Sequence, residues 1–207
     1  MTSSQTTPPQ VHDRSYRSAA GIAGGVVLIL IGAWLGADAV VNGVGRTPWT
    51  VLAVLLLVVP LVVAFTIRPA VFGNEERLRV RNPFRDITLP WSAVSGFKSG
   101  YSNEVFDQAG TKYQLWSIPV SLRGRRKAQR QQLRAAKGGR TATGAAGLPV
   151  TEPRSPGDQA MDELRDLHET HAKAETPQSA TKIRWAYEIL APALAGAVLL
   201  VALLALG

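Results

Sequence analysis

His168-Glu169-Thr170-His171 places two imidazoles beside a carboxylate, the groups that hold zinc and activate water in metalloproteases. That chemistry needs histidines at i and i+4 with the glutamate next to the first, so that both rings leave one helix face. Here the histidines are three apart and no third ligand is evident, so both read as solvent-facing and no metal is expected. Gly139-Arg140-Thr141-Ala142-Thr143-Gly144-Ala145 echoes a phosphate loop in glycine spacing but lacks its lysine and following hydroxyl, so no nucleotide site follows. The chain has no cysteine, which removes thiolate nucleophiles, disulfides and cysteine-held metal centres. No serine–histidine–acid arrangement is evident either. The expectation is a non-enzymatic protein without a cofactor.

Charge is the chemistry that remains. The chain carries 23 Lys and Arg against 15 Asp and Glu, a net +8. Arg77, Arg79 and Arg81 alternate with Leu78 and Val80, which puts the three guanidiniums on one face of a strand. A second cluster, Arg123, Arg125, Arg126, Lys127, Arg130, Arg134, Lys137 and Arg140, contains no acidic residue. Near an anionic leaflet each such cation is worth about 1 kcal/mol. An acidic protein surface is the other natural partner. Nucleic acid also attracts cations non-specifically, but no aromatic residue interleaves the run, so it ranks below membrane and protein.

The elements that position these charges are dominated by three apolar runs, Ala19 to Val41, Trp49 to Ile67 and Trp185 to Leu206. Each approaches the roughly 20 residues that cross a bilayer as a helix. Ala37-Asp38-Ala39 has the form of a signal cleavage site, but the first run outlasts a signal peptide and a second follows closely, so it reads as an uncleaved anchor. With the N-terminus inside, the inner flanks hold Arg14, Arg17, Arg68, Arg77, Arg79, Arg81, Lys173, Lys182 and Arg184, while the outer loop holds only Arg46. By the positive-inside bias the N-terminus and residues 68–182 are cytoplasmic in a multi-pass cell-membrane protein, and the C-terminus lies outside. Asp38 and Glu188 lie about one turn from a span end, where they reach headgroups or water.

Small residues mark the span surfaces. Gly21, Gly25, Gly32 and Gly36 share a stripe on the first span, and Ala191, Ala195 and Ala202 repeat the spacing on the third. Such seams admit a second backbone closely, either within a three-helix bundle or across a homodimer.

Residues 68 to about 120 read as short strands. Asn82-Pro83 makes a turn, Gln108-Ala109-Gly110-Thr111 a hairpin loop, and Pro119 closes the last strand. Ser121 then caps a helix over Leu122–Lys137. Strands followed by one helix make an antiparallel α+β module.

The run LRVRNPFRDITLPWSAVSGF, with Arg79, Arg81, Asn82, Pro83, Pro90, Trp91, Val94 and Phe97, resembles the small bacterial PH-like domain common in actinobacterial membrane proteins. The resemblance implies a curved antiparallel sheet folded on itself and closed by a C-terminal helix. The expected organisation is a disordered N-terminus (1–18), spans at 19–41 and 49–67, a PH-like domain with a basic C-terminal helix (68–137), a flexible linker with an acidic segment (138–182), and a third span at 185–206. Within the linker, Asp158 to Glu175 reads as a short acidic helix with Met161, Leu164 and Leu167 on one side. The function expected is a membrane-anchored PH-like module presenting its basic surface to the inner leaflet or an acidic protein. The alternative is an assembly subunit whose spans carry the interaction.

Overall fold

The computed structural model describes residues 13–120, 156–172 and 180–206. Helix α1 spans Ala19–Asn42 and starts where the Ser18 Oγ accepts the Gly21 N–H at 3.1 Å, which satisfies one of the orphan donors of the first turn. Helix α2 spans Thr47–Val62 and continues as a π-helical turn, Val63–Ile67. Pro60 has no N–H to donate, and a few residues on the ladder widens so that the Arg68 N–H reaches the Val63 carbonyl at 2.8 Å. Helix α4 spans Tyr187–Ala205. Three helices are long and apolar enough to cross a membrane: Ala19–Asn42, Thr47–Ile67 and Tyr187–Ala205, of mean hydropathy 2.1, 2.9 and 2.3. Their outer faces leave Leu30, Trp34, Val201 and Leu204 exposed.

The helices pack through small residues. A Cβ at Gly32 would come within 3.2 Å of Leu55 Cδ2, and one at Gly36 would approach the same side chain, so the lower half of the α1 stripe seats Leu55 of α2. Gly21 and Gly25 face Thr66. The stripe is therefore spent inside the chain. On α4 the structure corrects the expected face. Ala191 and Ala195 are exposed and Ala202 is half-buried, whereas Ala193 and Gly196 are buried. A Cβ at Gly196 would meet the Leu57 backbone nitrogen, with the Leu56 carbonyl carbon 2.7 Å away. Small residues lie on several sides of α4, and the one that lets the α2 backbone through is the glycine.

The remaining residues form two antiparallel sheets. Strands β1 (Arg14–Tyr16), β2 (Ala70–Gly73), β3 (Arg77–Arg81), β4 (Arg85–Pro90) and β8 (Lys182–Trp185) pair in the order β1-β2-β3-β4-β8. Strands β5 (Val94–Ser99), β6 (Asn103–Asp107) and β7 (Lys112–Gln114) form the second sheet. Helix α3 (Pro156–His171) packs with them. Leu78, Val80, Ile87 and Leu89 from the first sheet, Val94, Val105 and Tyr113 from the second, and Ala160, Met161 and Leu164 from α3 share one core. Trp91 lies at its centre, 1% exposed, and donates its indole N–H to the Asn74 carbonyl at 2.6 Å.

One consequence of this pairing is topological. β1 immediately precedes α1, β2 follows the end of α2, and β8 immediately precedes α4. All three belong to one sheet. The first end of α1, the last end of α2 and the first end of α4 therefore sit together on the domain side of the bundle.

Three expectations are corrected. Residues 14–16, placed in a disordered N-terminus, form β1, because Arg14, Ser15 and Tyr16 pair with Gly73, Phe72 and Val71. The acidic segment, expected as a short helix within a flexible linker, is α3 and lies docked on the core. It docks because Ala160, Met161 and Leu164 form an apolar stripe that covers the core, and the bare Cα of Gly73 lets Leu164 and Leu167 approach. Residues 182–185, divided between linker and span, form β8 against β4. The expected closing helix over 122–137 lies outside the described residues, and the described helix that closes the core is α3.

Candidate functional site

The arginine face of β3 becomes a groove because strand register adds cations from a distant segment. Arg79 pairs with Thr88, which pairs with Lys182; Arg81 pairs with Asp86, which pairs with Arg184. Directly paired residues point to the same side of an antiparallel sheet. Arg77, Arg79, Arg81, Lys182 and Arg184 therefore crowd the face opposite the core, where alternation has turned Leu78 and Val80 inward. Arg68 and Glu188 complete the rim of a groove of about 420 Å³. Six cations face two carboxylates there.

The carboxylates are already committed. Asp86 is 7% exposed and takes two hydrogen bonds from Arg79, Nε at 2.9 Å and Nη2 at 2.5 Å. Burial pushes the Asp86 carboxyl up, but the Arg79 hydrogen bonds and the charges of Arg79, Arg81 and Arg68 hold it below its ordinary value. Asp86 in turn raises Arg79. Arg81 is pushed down, first by burial and then by the charge of Arg79, with Asp86 opposing. Its Nε lies 3.9 Å from Asp86 and makes no hydrogen bond among the described residues. Glu188 Oε1 accepts from Arg184 at 2.9 Å and from Arg68 at 3.2 Å. Arg77 and Lys182 make no side-chain hydrogen bond or ion pair with another described residue, so they are the uncommitted cations of the groove. Arg17 and Arg81 stand over the Phe72 ring at 5.8 and 5.5 Å, extending positive charge towards β2.

Of the residues expected to meet anions, the structure gathers Arg77, Arg79 and Arg81. Arg123, Arg125, Arg126, Lys127, Arg130, Arg134, Lys137 and Arg140 lie outside the described residues. Sequence reasoning counted Arg68, Lys182 and Arg184 only as flanking charges and did not place them at the site. The signal was present for the last two, since Lys182-Ile183-Arg184-Trp185 alternates as β3 does. The histidines are structural. His168 Nε2 lies 2.9 Å from the Val94 carbonyl, between the rings of Trp91 and Phe97, and His171 Nδ1 lies 2.9 Å from the Leu167 carbonyl. His168 is thus half-buried rather than solvent-facing, because α3 lies on the core. Among the described residues no group of three His, Asp or Glu is arranged to hold a metal ion.

Residues 68–143 match the family described as bacterial PH domain, so such a domain is present in this stretch. No curated protein matches the chain, and no solved structure does. The matched stretch supplies Arg68, Arg77, Arg79 and Arg81; Lys182 and Arg184 come from outside it.

Proposed function

We propose that this chain is a membrane-anchored PH-like module, non-enzymatic, that presents a basic surface to the inner leaflet or to an acidic protein partner. The observation that carries this reading is the cationic groove at the point where the second and third apolar helices meet the domain. Arg68 follows Ile67 directly and Glu188 lies in the first turn of α4. The positive-inside bias assigns the domain side to the cytoplasm. The alternative is a structural or assembly subunit whose apolar helices carry the interaction; the glycine faces speak against it as the seam, because Gly32, Gly36 and Gly196 already seat Leu55, Leu56 and Leu57 of the same chain.

The test uses the full chain in bacterial inner-membrane vesicles and intact spheroplasts. The protein should resist alkaline carbonate extraction, and protease added outside spheroplasts should spare residues 68–182 while inside-out vesicles expose them. Carbonate release, or digestion from the outside, would overturn the reading.

A further inference from the structure

The groove has the position, charge and size of a site for a particular class of lipid. Its height is set by two residues that cannot leave the helix ends, Arg68 capping the π-helical turn that continues α2 and Glu188 in the first turn of α4. A phospholipid carries its phosphate at that level. A protein partner would have to reach down to it. The volume of about 420 Å³ falls in the range of small-ligand sites, ~300–1,000 Å³.

Charge selects among headgroups. Asp86 is occupied by Arg79, and Glu188 is shared by Arg68 and Arg184, which leaves Arg77 and Lys182 unmatched among the described residues. Guanidinium forks bind phosphate oxygens in pairs. A phosphomonoester carries about −1.5 to −2 charges at neutral pH and three terminal oxygens; a phosphodiester carries one charge and two free oxygens.

We propose that the groove binds the phosphomonoester headgroup of an anionic lipid through Arg77, Lys182, Arg184 and Arg68, and that Glu188 competes with that headgroup for Arg68 and Arg184. This rests on the membrane placement proposed above. The Glu188 carboxylate already takes hydrogen bonds from two groove arginines, as a headgroup oxygen would. Removing its charge frees both donors for the lipid.

The experiment reconstitutes the full chain in phosphatidylcholine nanodiscs containing phosphatidic acid or phosphatidylglycerol and counts retained lipid by native mass spectrometry. Phosphatidic acid should be retained over phosphatidylglycerol. Arg77→Gln with Lys182→Gln should lower its retention about thirtyfold, from ~1 kcal/mol for each of the two lost cations. Lys98→Gln with Lys112→Gln removes the same charge from the other sheet and should change nothing. Glu188→Gln should raise retention. Equal retention of the two lipids, or equal loss in both double variants, would mean diffuse attraction and would overturn the proposal. So would full displacement by millimolar glycerol 3-phosphate, which would assign the groove to a soluble anion, or by poly-glutamate, which would assign it to an acidic protein. Failure of the chain to enter nanodiscs at all counts against the membrane placement instead.

Discussion

Arg68 and Glu188 bind the two apolar helices that flank the domain to each other, 3.2 Å apart, though one ends α2 and the other begins α4. The pair is unequal. The Arg68 side chain is 9% exposed and also donates to the Asn82 carbonyl at 2.5 Å, while Glu188 is 49% exposed. Replacing Arg68 with alanine strands a half-buried carbonyl, and hydrogen bonds with a charged partner are worth about 1.5–3 kcal/mol. Arg68→Ala should therefore destabilise the full chain by about 2 kcal/mol, read as a lowered Tm in detergent. Glu188→Ala should cost less than about 1 kcal/mol, as screened pairs do. The reverse order would show that the ion pair, not the carbonyl bond, holds the junction.

Acid should loosen the groove in a defined direction. Burial raises the Asp86 carboxyl, yet Arg79 and its neighbours outweigh burial and leave it below its ordinary 3.8. A carboxyl depressed in the folded chain binds protons more weakly than the unfolded chain does. Its contribution is complete above the unfolded value and is lost as pH falls through the folded one. Thermal melts between pH 7 and 3 should show stability falling below about pH 4, and Asp86→Asn should flatten that limb. At pH 7 the same variant should lower the Tm, because Arg79 and Arg81 lose their shared counter-charge. An unchanged acid limb would remove Asp86 from the account.

The bundle makes its own prediction. Any Cβ at Gly196 meets the α2 backbone at Leu56 and Leu57, which cannot rotate away as a side chain would. Gly196→Ala should cost about 1–3 kcal/mol, the usual range for overpacking. Ala191→Leu and Ala195→Leu, on the exposed side, should be tolerated in the same Tm assay. If the two leucine variants proved the damaging ones, a second chain would have to pack on that face.

How much of this was legible depends on how far apart the partners lie. The three long apolar helices announce themselves by composition, and Arg77-Leu78-Arg79-Val80-Arg81 shows its two faces by alternation alone. β8 alternates as clearly, but Trp185 borders an apolar run and was absorbed into the span. β1 is three residues long, too short for any periodicity, and exists only because β2 offers an edge. The stripe Met161, Leu164 and Leu167 was visible among acidic neighbours, but nothing local shows that Gly73 and Trp91 wait beneath it. The same blindness hid half the groove: Lys182 and Arg184 reach Arg79 and Arg81 only through the β4 register.

That distance has an experimental consequence. The stretch that matches a bacterial PH domain, residues 68–143, lacks β1, α3 and β8, and hence Ala160, Met161 and Leu164 of the shared core. Burying a Met or Leu side chain is worth about 1.5–3 kcal/mol, and a domain's whole stability is only about 5–15 kcal/mol. A fragment of residues 68–143 should give a collapsed amide spectrum and early protease cleavage. In the full chain, Leu164→Asp should reproduce that protease sensitivity in the β2–β7 region, since the side chain is fully buried against both sheets. Glu169→Gln, exposed on the opposite side of α3, should leave cleavage unchanged. A well-dispersed spectrum from 68–143 alone would mean that α3 merely rests on a domain already complete without it.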